Sequence, residues 1–272
     1  MKSRQTIFIV FLMILSMVSC KQKATTADLK IIYLHHSTGG VIWNGETSNP
    51  KKANLPLLFE AYNKEQEKII SIEKMEFPKA QPYGWNNYPY DYYNIWVKNA
   101  GTDPFMEEPT LEILTKEYQV IIFKHCYPVS NIQSDQNNAD INSELKTISN
   151  YKLQYNALRD KLHEFPDTKF ILFTGAVNVK SNLTEDEAMR TKEFFKWVID
   201  EWDIPGDNIY LWDLYNLETE GGLYFKDDFA VSATDSHPNK DFAGRVVKLL
   251  FNRIIDVIEN DGSKTQISGE VI

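Results

Sequence analysis

Apolar positions recur along the chain in two alternating rhythms. Short runs rich in β-branched residues, at 29–34, 69–75, 119–124, 169–173 and 208–212, predict strands. The third run, QVIIFK, is apolar enough to predict a central strand buried on both faces. Between them the spacing is helical. Asn54 caps a predicted helix to Lys68 with Pro56 in its first turn, and Leu55, Leu58, Phe59 and Tyr62 form its stripe. Pro109 opens a short helix to Tyr118, and Ile141, Leu145, Ile148, Tyr155, Leu158 and Leu162 predict one face of a long helix over 140–164. Thr184 and Glu187 form a capping box for a helix to Trp202, and a last helix over 239–259 turns Phe242, Val246, Leu249, Leu250, Ile254, Val257 and Ile258 inward. Strands interleaved with helices predict an α/β fold: a three-layer sandwich with a five-stranded parallel sheet, one domain over 29–260, followed by a polar tail at 261–272. In such a sheet the ligand crevice lies beyond the carboxyl ends of the strands, so the loops that follow the strands carry the chemistry.

The segment before the first strand is of a different kind. Lys2 and Arg4 precede an apolar run over 7–18, and Ser19 stands before Cys20, the layout of a secretion signal. A spanning helix needs about 20 apolar residues, so residues 1–19 are expected to be cleaved. Met17-Val18-Ser19 before Cys20 resembles a bacterial lipobox, which implies lipid on Cys20, a tether over 20–28 and a periplasmic or outer-membrane protein held to the membrane by its lipid alone. Cys126 is then the remaining thiol, and no intramolecular disulfide can form. Among 272 residues, 29 Lys+Arg against 38 Asp+Glu give a formal charge of −9, which offers no footprint for a phosphate backbone and argues against a nucleic-acid partner.

Two loops carry candidate chemistry. The first strand runs into His35-His36-Ser37-Thr38-Gly39-Gly40. A serine hydroxyl needs a base to take its proton, and the amides of a glycine-rich turn can hold a developing oxyanion. The alternative is a plain strand-to-loop turn with two incidental histidines. A Walker loop would require a lysine before the hydroxyl residue, and none is present. His35 and His36 point to opposite sides of an extended strand and make a poor chelating pair, so neither metal nor cofactor is expected. The second loop, Thr234-Asp235-Ser236-His237-Pro238-Asn239, leads into the last helix. His237 could reach the first loop as general base, with a nearby carboxylate holding its tautomer. Helix capping explains Asp235 or Asn239 but does not call for a histidine.

Together these ends of the chain resemble the SGNH, or GDSL-like, hydrolase superfamily, whose nucleophilic serine follows the first strand and whose histidine precedes the last helix. The resemblance implies a flavodoxin-like sandwich that hydrolyses esters, with Ser37 as nucleophile and His237 as base. Here the first block reads His35-His36-Ser37 rather than Gly-Asp-Ser. Thr234 occupies the usual acid position, so Asp235, two residues before the histidine, is the expected acid, with Asp228 and Asp227 in reserve. The implied oxyanion donors are the Ser37 amide, Gly84, with Gly101 behind it, and Asn131 in the segment after the middle strand.

The segment 81–97 is read as a long loop carrying Tyr83, Trp85, Tyr88, Tyr90, Tyr92, Tyr93 and Trp96. Flat aromatic faces suit sugar rings, so Tyr83, Trp85 and Tyr88, with His36, are candidate substrate-binding residues walling the same crevice as Ser37. The alternative is a loop that uses its aromatics to pack itself down. Cys126 beside His125 is a less favoured nucleophile, since a thiol at an apolar strand end is more often inert. The expected activity is that of an exported serine esterase removing acetyl or other acyl groups from a carbohydrate. The alternative is a catalytically impaired glycan-binding lipoprotein on the same fold.

Overall fold

The computed structural model describes residues 27–46, 52–84, 86–135 and 138–272. The signal run, Cys20, nearly all of the tether and Trp85 lie outside the described residues. Five strands form the main sheet: β1 (Leu29–His35), β2 (Ile70–Glu76), β3 (Val120–Phe123), β4 (Lys169–Phe173) and β5 (Ile209–Trp212). Their order is β2-β1-β3-β4-β5 and every pair is parallel. That is the flavodoxin-like order, whose direction of winding reverses between β1 and β3, the switch point beside which ligands bind in sheets of this kind. β3 is buried along its whole length.

Among the described residues, eight α-helices flank the sheet. One face carries α1 (Ser37–Asn44), α2 (Asn54–Gln66) and α8 (Lys240–Asn260), which pack on one another. The other carries α3 (Pro89–Tyr92), which runs straight into a π-helical turn (Tyr93–Lys98), then α5 (Ile148–His163) and α6 (Glu185–Trp197). Tyr155 of α5 binds that layer together, its ring meeting Phe194 and Trp202 edge-on at 5.0 and 5.2 Å. Short α4 (Leu111–Leu114) and α7 (Leu214–Thr219) complete the set. Caps set the helix starts: Thr184 and Glu187 close the capping box of α6, and the Asn239 side chain accepts the Phe242 amide at 2.9 Å at the head of α8.

Several sequence expectations are corrected. The long helix begins at Ile148, not at 140, and Leu145 is exposed. Asp140 accepts the Asn142 amide at 2.9 Å and Ser143 the Leu145 amide at 3.2 Å, so short polar side chains take backbone donors that a helix would need. Between Pro109 and Tyr118 only Leu111–Leu114 is helical. The aromatic segment is largely helix rather than loop, and Tyr88, Tyr92 and Trp96, spaced four apart, are all buried. The polar tail packs against the domain. Its Ile267 carbonyl accepts the Asp213 amide at 2.9 Å, its Ser268 carbonyl accepts the Trp212 indole at 3.0 Å, and Asp256 of α8 holds the Thr265 amide at 2.8 Å. A β-carbon on Gly269, whose φ is +89°, would stand 2.0 Å from the Leu249 carbonyl oxygen, so only glycine lets the chain cross α8 there. A small antiparallel hairpin, β6 (Ala230–Ser232) and β7 (Asp235–Pro238), precedes α8 and was not anticipated.

Candidate active site

Ser37 stands where β1 turns into α1. His36 is extended, with φ −130°, and Ser37 itself has φ +31°, a conformation that non-glycine residues rarely adopt. Strain of this kind persists only where neighbours over-determine it. Here the Gly39 amide donates to the His36 carbonyl at 2.7 Å, and the Tyr33 hydroxyl donates to the Gly39 carbonyl at 3.1 Å. Gly39 is required by close approach, since a β-carbon there would lie 2.7 Å from His35 Cβ and 2.9 Å from Lys124 Cδ. The tight turn leaves Ser37 at the carboxyl edge of the sheet, at the switch point.

The histidine arrives from the other end of the chain on β7. Side chains two apart on a strand share a face, so Asp235 and His237 lie together while Ser236 points the opposite way. Ser236 anchors the strand from below. It donates to Asn178 Oδ1 at 3.0 Å and accepts from the Val179 amide at 3.0 Å and from Asn182 Nδ2 at 3.2 Å. On the upper face Ser37 Oγ lies 2.6 Å from His237 Nε2, and His237 Nδ1 lies 2.6 Å from Asp235 Oδ1. The same carboxylate oxygen accepts the His237 backbone amide at 3.0 Å. An ionised carboxylate only accepts, so Nδ1 carries the proton and Nε2 is left to accept from the serine hydroxyl. The hydrogen bonds from the His237 amide and ring hold the Asp235 carboxyl below its usual range.

Tyr127, just after β3, links the two halves. Its hydroxyl donates to the Ser236 carbonyl at 2.6 Å and accepts from Thr38 Oγ1 at 3.0 Å, and its ring meets that of His237 edge-on at 5.5 Å. Burial pushes the phenol up, so it stays a protonated donor. Sequence reasoning missed Tyr127, Thr38, Ser236 and Asn178. Only Ser236 carried a signal, its alternation with Asp235 and His237.

The remaining candidates fall elsewhere. His36, expected to touch substrate, is buried, and its Nε2 donates to the Pro78 carbonyl, tying the Ser37 turn to the loop after β2. Burial also lowers its pKa. Tyr88 is 2% exposed and its hydroxyl donates to the Glu144 carbonyl at 3.3 Å, so this ring packs the loop down. Half-buried Tyr83 donates to Asp91 at 3.2 Å and accepts from Asn94 at 3.0 Å. Gly84 is exposed, with φ +83°, and lines with Tyr83, Asn86, Tyr90, Asn94 and Glu144 a depression of about 300 Å³. The lining includes none of Ser37, Asp235 and His237, so this depression is not the wall of one shared crevice that the sequence suggested. Asp91 beneath it is pushed up to about 6 by burial, although the Asn87 amide donates to it at 2.6 Å. Asn131 accepts from Asn178 Nδ2 at 3.3 Å. Neither Gly84 nor Asn131 is hydrogen-bonded to Ser37 or His237. Asp228 contributes only its carbonyl, to the Asn239 side chain at 2.8 Å. Cys126 is a buried free thiol, and His125 is fully buried between Tyr92 and Tyr155 with neither ring nitrogen bonded, so the pair is inert. Among the described residues no three His, Cys, Asp or Glu side chains are grouped to hold a metal ion.

No protein-family model and no curated protein matches the chain. One solved structure, of a carbohydrate esterase whose active site is described as having divergent catalytic and non-catalytic binding functions, aligns with 86% of this chain and 67% of its own. Its identity is 13% and its TM-score 0.39. A likeness at that level carries no argument about activity, and the chemistry rests on the side chains themselves.

Proposed function

We propose that the protein is a serine ester hydrolase in which Ser37 is the nucleophile, His237 the base and Asp235 the residue that orients it. One observation carries this reading: the unbroken line of hydrogen bonds from Ser37 Oγ through His237 to Asp235, each of 2.6 Å, formed across 200 residues of sequence at the switch point of the sheet. Such a line lets the serine proton pass to Nε2 as Oγ attacks an ester carbonyl carbon, and lets the carboxylate stabilise the imidazolium that results. The proton then returns to the departing alcohol, and water repeats the sequence on the acyl-serine. The Ser37 amide, at the head of α1, is the favoured oxyanion donor, since a helix amino terminus presents backbone N–H groups to developing negative charge.

The substrate class we infer is an acyl ester of a carbohydrate, acetate included. In a depression apart from the triad, Tyr83 and Tyr90, with Asn86, Asn94 and Glu144, supply ring faces and polar groups suited to hydroxyl-rich ligands, where a part of a polymeric substrate remote from the ester would bind. The protein would act as an exported lipoprotein held at Cys20. Turnover of a chromogenic acetyl ester tests the reaction. Activity lost in Ser37→Ala and in His237→Ala, with both variants folded, is expected. Undiminished activity in either overturns the reading, and so does a wild-type protein that neither hydrolyses the ester nor is labelled at Ser37 by a fluorophosphonate.

A further inference from the structure

β3 is followed by a residue whose burial its chemistry does not explain. Lys124 is 0% exposed, and its ammonium nitrogen has no hydrogen-bond partner among the described residues. It lies two positions beyond Ile122, whose register partner on β1 is Tyr33, so Lys124 and Tyr33 share a face of the sheet. That face runs directly under the first turn of α1. The α-carbon of Gly39 sits so close that a β-carbon there would stand 2.9 Å from Lys124 Cδ and 3.0 Å from the Tyr33 hydroxyl. Burial lowers the Lys124 pKa, and Cys126 and Glu218 act against that lowering. Glu218 of α7, also 0% exposed, accepts the Val177 amide at 2.8 Å on one oxygen and has no partner for the other. Glu218 is pushed up to about 8 by burial and is largely uncharged near neutral pH. An unpaired buried ammonium is costly, and a methionine would occupy the same space without that cost. Stability alone therefore does not account for a lysine here.

We propose that Lys124 is a buried supporting cation for Ser37, whose field, acting through the first turn of α1, favours the negative charge that forms on the substrate oxygen during ester hydrolysis. The inference rests on the esterase reading above. Its physical basis is a mismatch in that site. The head of an eight-residue helix supplies only a partial positive charge. The ammonium form of Lys124, in a water-excluded position beneath it, is poorly screened, and the negative charge of the oxyanion in turn favours that form against the cost of burial. Lys124 touches no substrate. It is a positioning residue that acts through α1.

Two variants test this on the full chain. Lys124→Met removes the charge and keeps the length. Its kcat on the acetyl ester is expected to fall roughly ten- to a hundredfold, with KM changed by less than about threefold and the melting temperature unchanged or raised. Glu218→Gln removes the opposing group and is expected to leave kcat at or above that of the wild type at pH 7. The proposal is overturned if Lys124→Met keeps kcat within about twofold. It is equally overturned if that variant melts lower or fails to fold, since the lysine is then structural, or if Glu218→Gln loses as much kcat as Lys124→Met. A wild type active on the ester beside an equally active Lys124→Met sinks this inference and spares the esterase reading. A wild type with no turnover and no labelling of Ser37 sinks the esterase reading, and this inference with it.

Discussion

Asp235→Asn is the change for which the geometry gives the least familiar expectation. In a buried triad the corresponding substitution costs about 10⁴ in rate, because the amide nitrogen turns toward the imidazole and forces the wrong tautomer. Here one oxygen, Asp235 Oδ1, accepts both the ring Nδ1–H at 2.6 Å and the His237 backbone N–H at 3.0 Å. The backbone amide donates whatever the side chain does, so an asparagine that presented its NH₂ would face two donors. Its oxygen therefore stays inward, Nδ1 keeps its proton, and Nε2 still accepts from Ser37. What is lost is charge alone. The pair is half exposed, with side chains 40% and 46% accessible for His237 and Asp235, so that charge is already screened by water. The expected loss in kcat is about 30- to 100-fold, not 10⁴. Asp235→Ala, which removes the acceptor as well, should cost about tenfold more than Asp235→Asn. The assay is steady-state turnover of a chromogenic acetyl ester by both variants, with circular dichroism to confirm folding. A loss of about 10⁴ in Asp235→Asn, or equal losses in the two variants, would refute the shared-oxygen argument.

Tyr127→Phe removes the hydroxyl that joins Thr38 to the Ser236 carbonyl. We expect about 1–2 kcal/mol of destabilisation in urea titrations and a fall in kcat without a matching rise in KM. An unchanged kcat would show that the two loops hold their spacing unaided. Tyr88→Ala empties a core position and should cost about 3–5 kcal/mol in the same titrations, whereas Tyr83→Phe should leave stability within about 1 kcal/mol and weaken oligosaccharide binding, read by calorimetry. Since burial raises Glu218 to about 8, deprotonation favours the unfolded chain. Stability should then fall by a few kcal/mol as pH rises from about 4.5 through about 8, and Glu218→Gln should flatten that slope. Melting curves across pH that stay parallel for the two proteins would contradict it. Finally, mass spectrometry of the membrane fraction should find an acylated amino terminus at Cys20, and Cys20→Ala should release the protein from that fraction. An unmodified terminus at any other residue would count against lipidation.

The strands were legible because burial on both faces leaves little choice of residue: the runs around Ile31, Ile122, Ile171 and Leu211 are apolar almost without interruption. The amphipathic helices α2, α6 and α8 were legible for the matching reason, a stripe on one side only. The start of α5 was not. Ile141 and Leu145 continue the stripe, but Asp140, Ser143 and Thr147 capture backbone donors, and local capture outweighs periodicity. The aromatic segment misled for want of a period count, since Tyr88, Tyr92 and Trp96 are a helical repeat hidden among tyrosines that point elsewhere. β7 could not be read because Asp-Ser-His-Pro has no strand propensity of its own. Once the segment is a strand, a spacing of two between Asp235 and His237 becomes the natural one. Lys124 gave no sign at all, because a charged residue at the end of an apolar run is ordinarily the point at which a strand reaches water.

The direction of β1 has a consequence for how such a molecule would sit on a surface. The chain enters the sheet at Leu29 and meets Ser37 only after seven residues of strand, about 23 Å farther on at the opposite rim. Were Cys20 lipidated as proposed, the bilayer would be reached from the entry side, through a stretch of chain too short to span more than about 30 Å. The serine would then face away from the bilayer, and bringing it there would require the whole domain to roll over. Esters on polymers facing away from that bilayer would come within its reach, and the acyl chains of a supporting lipid would not.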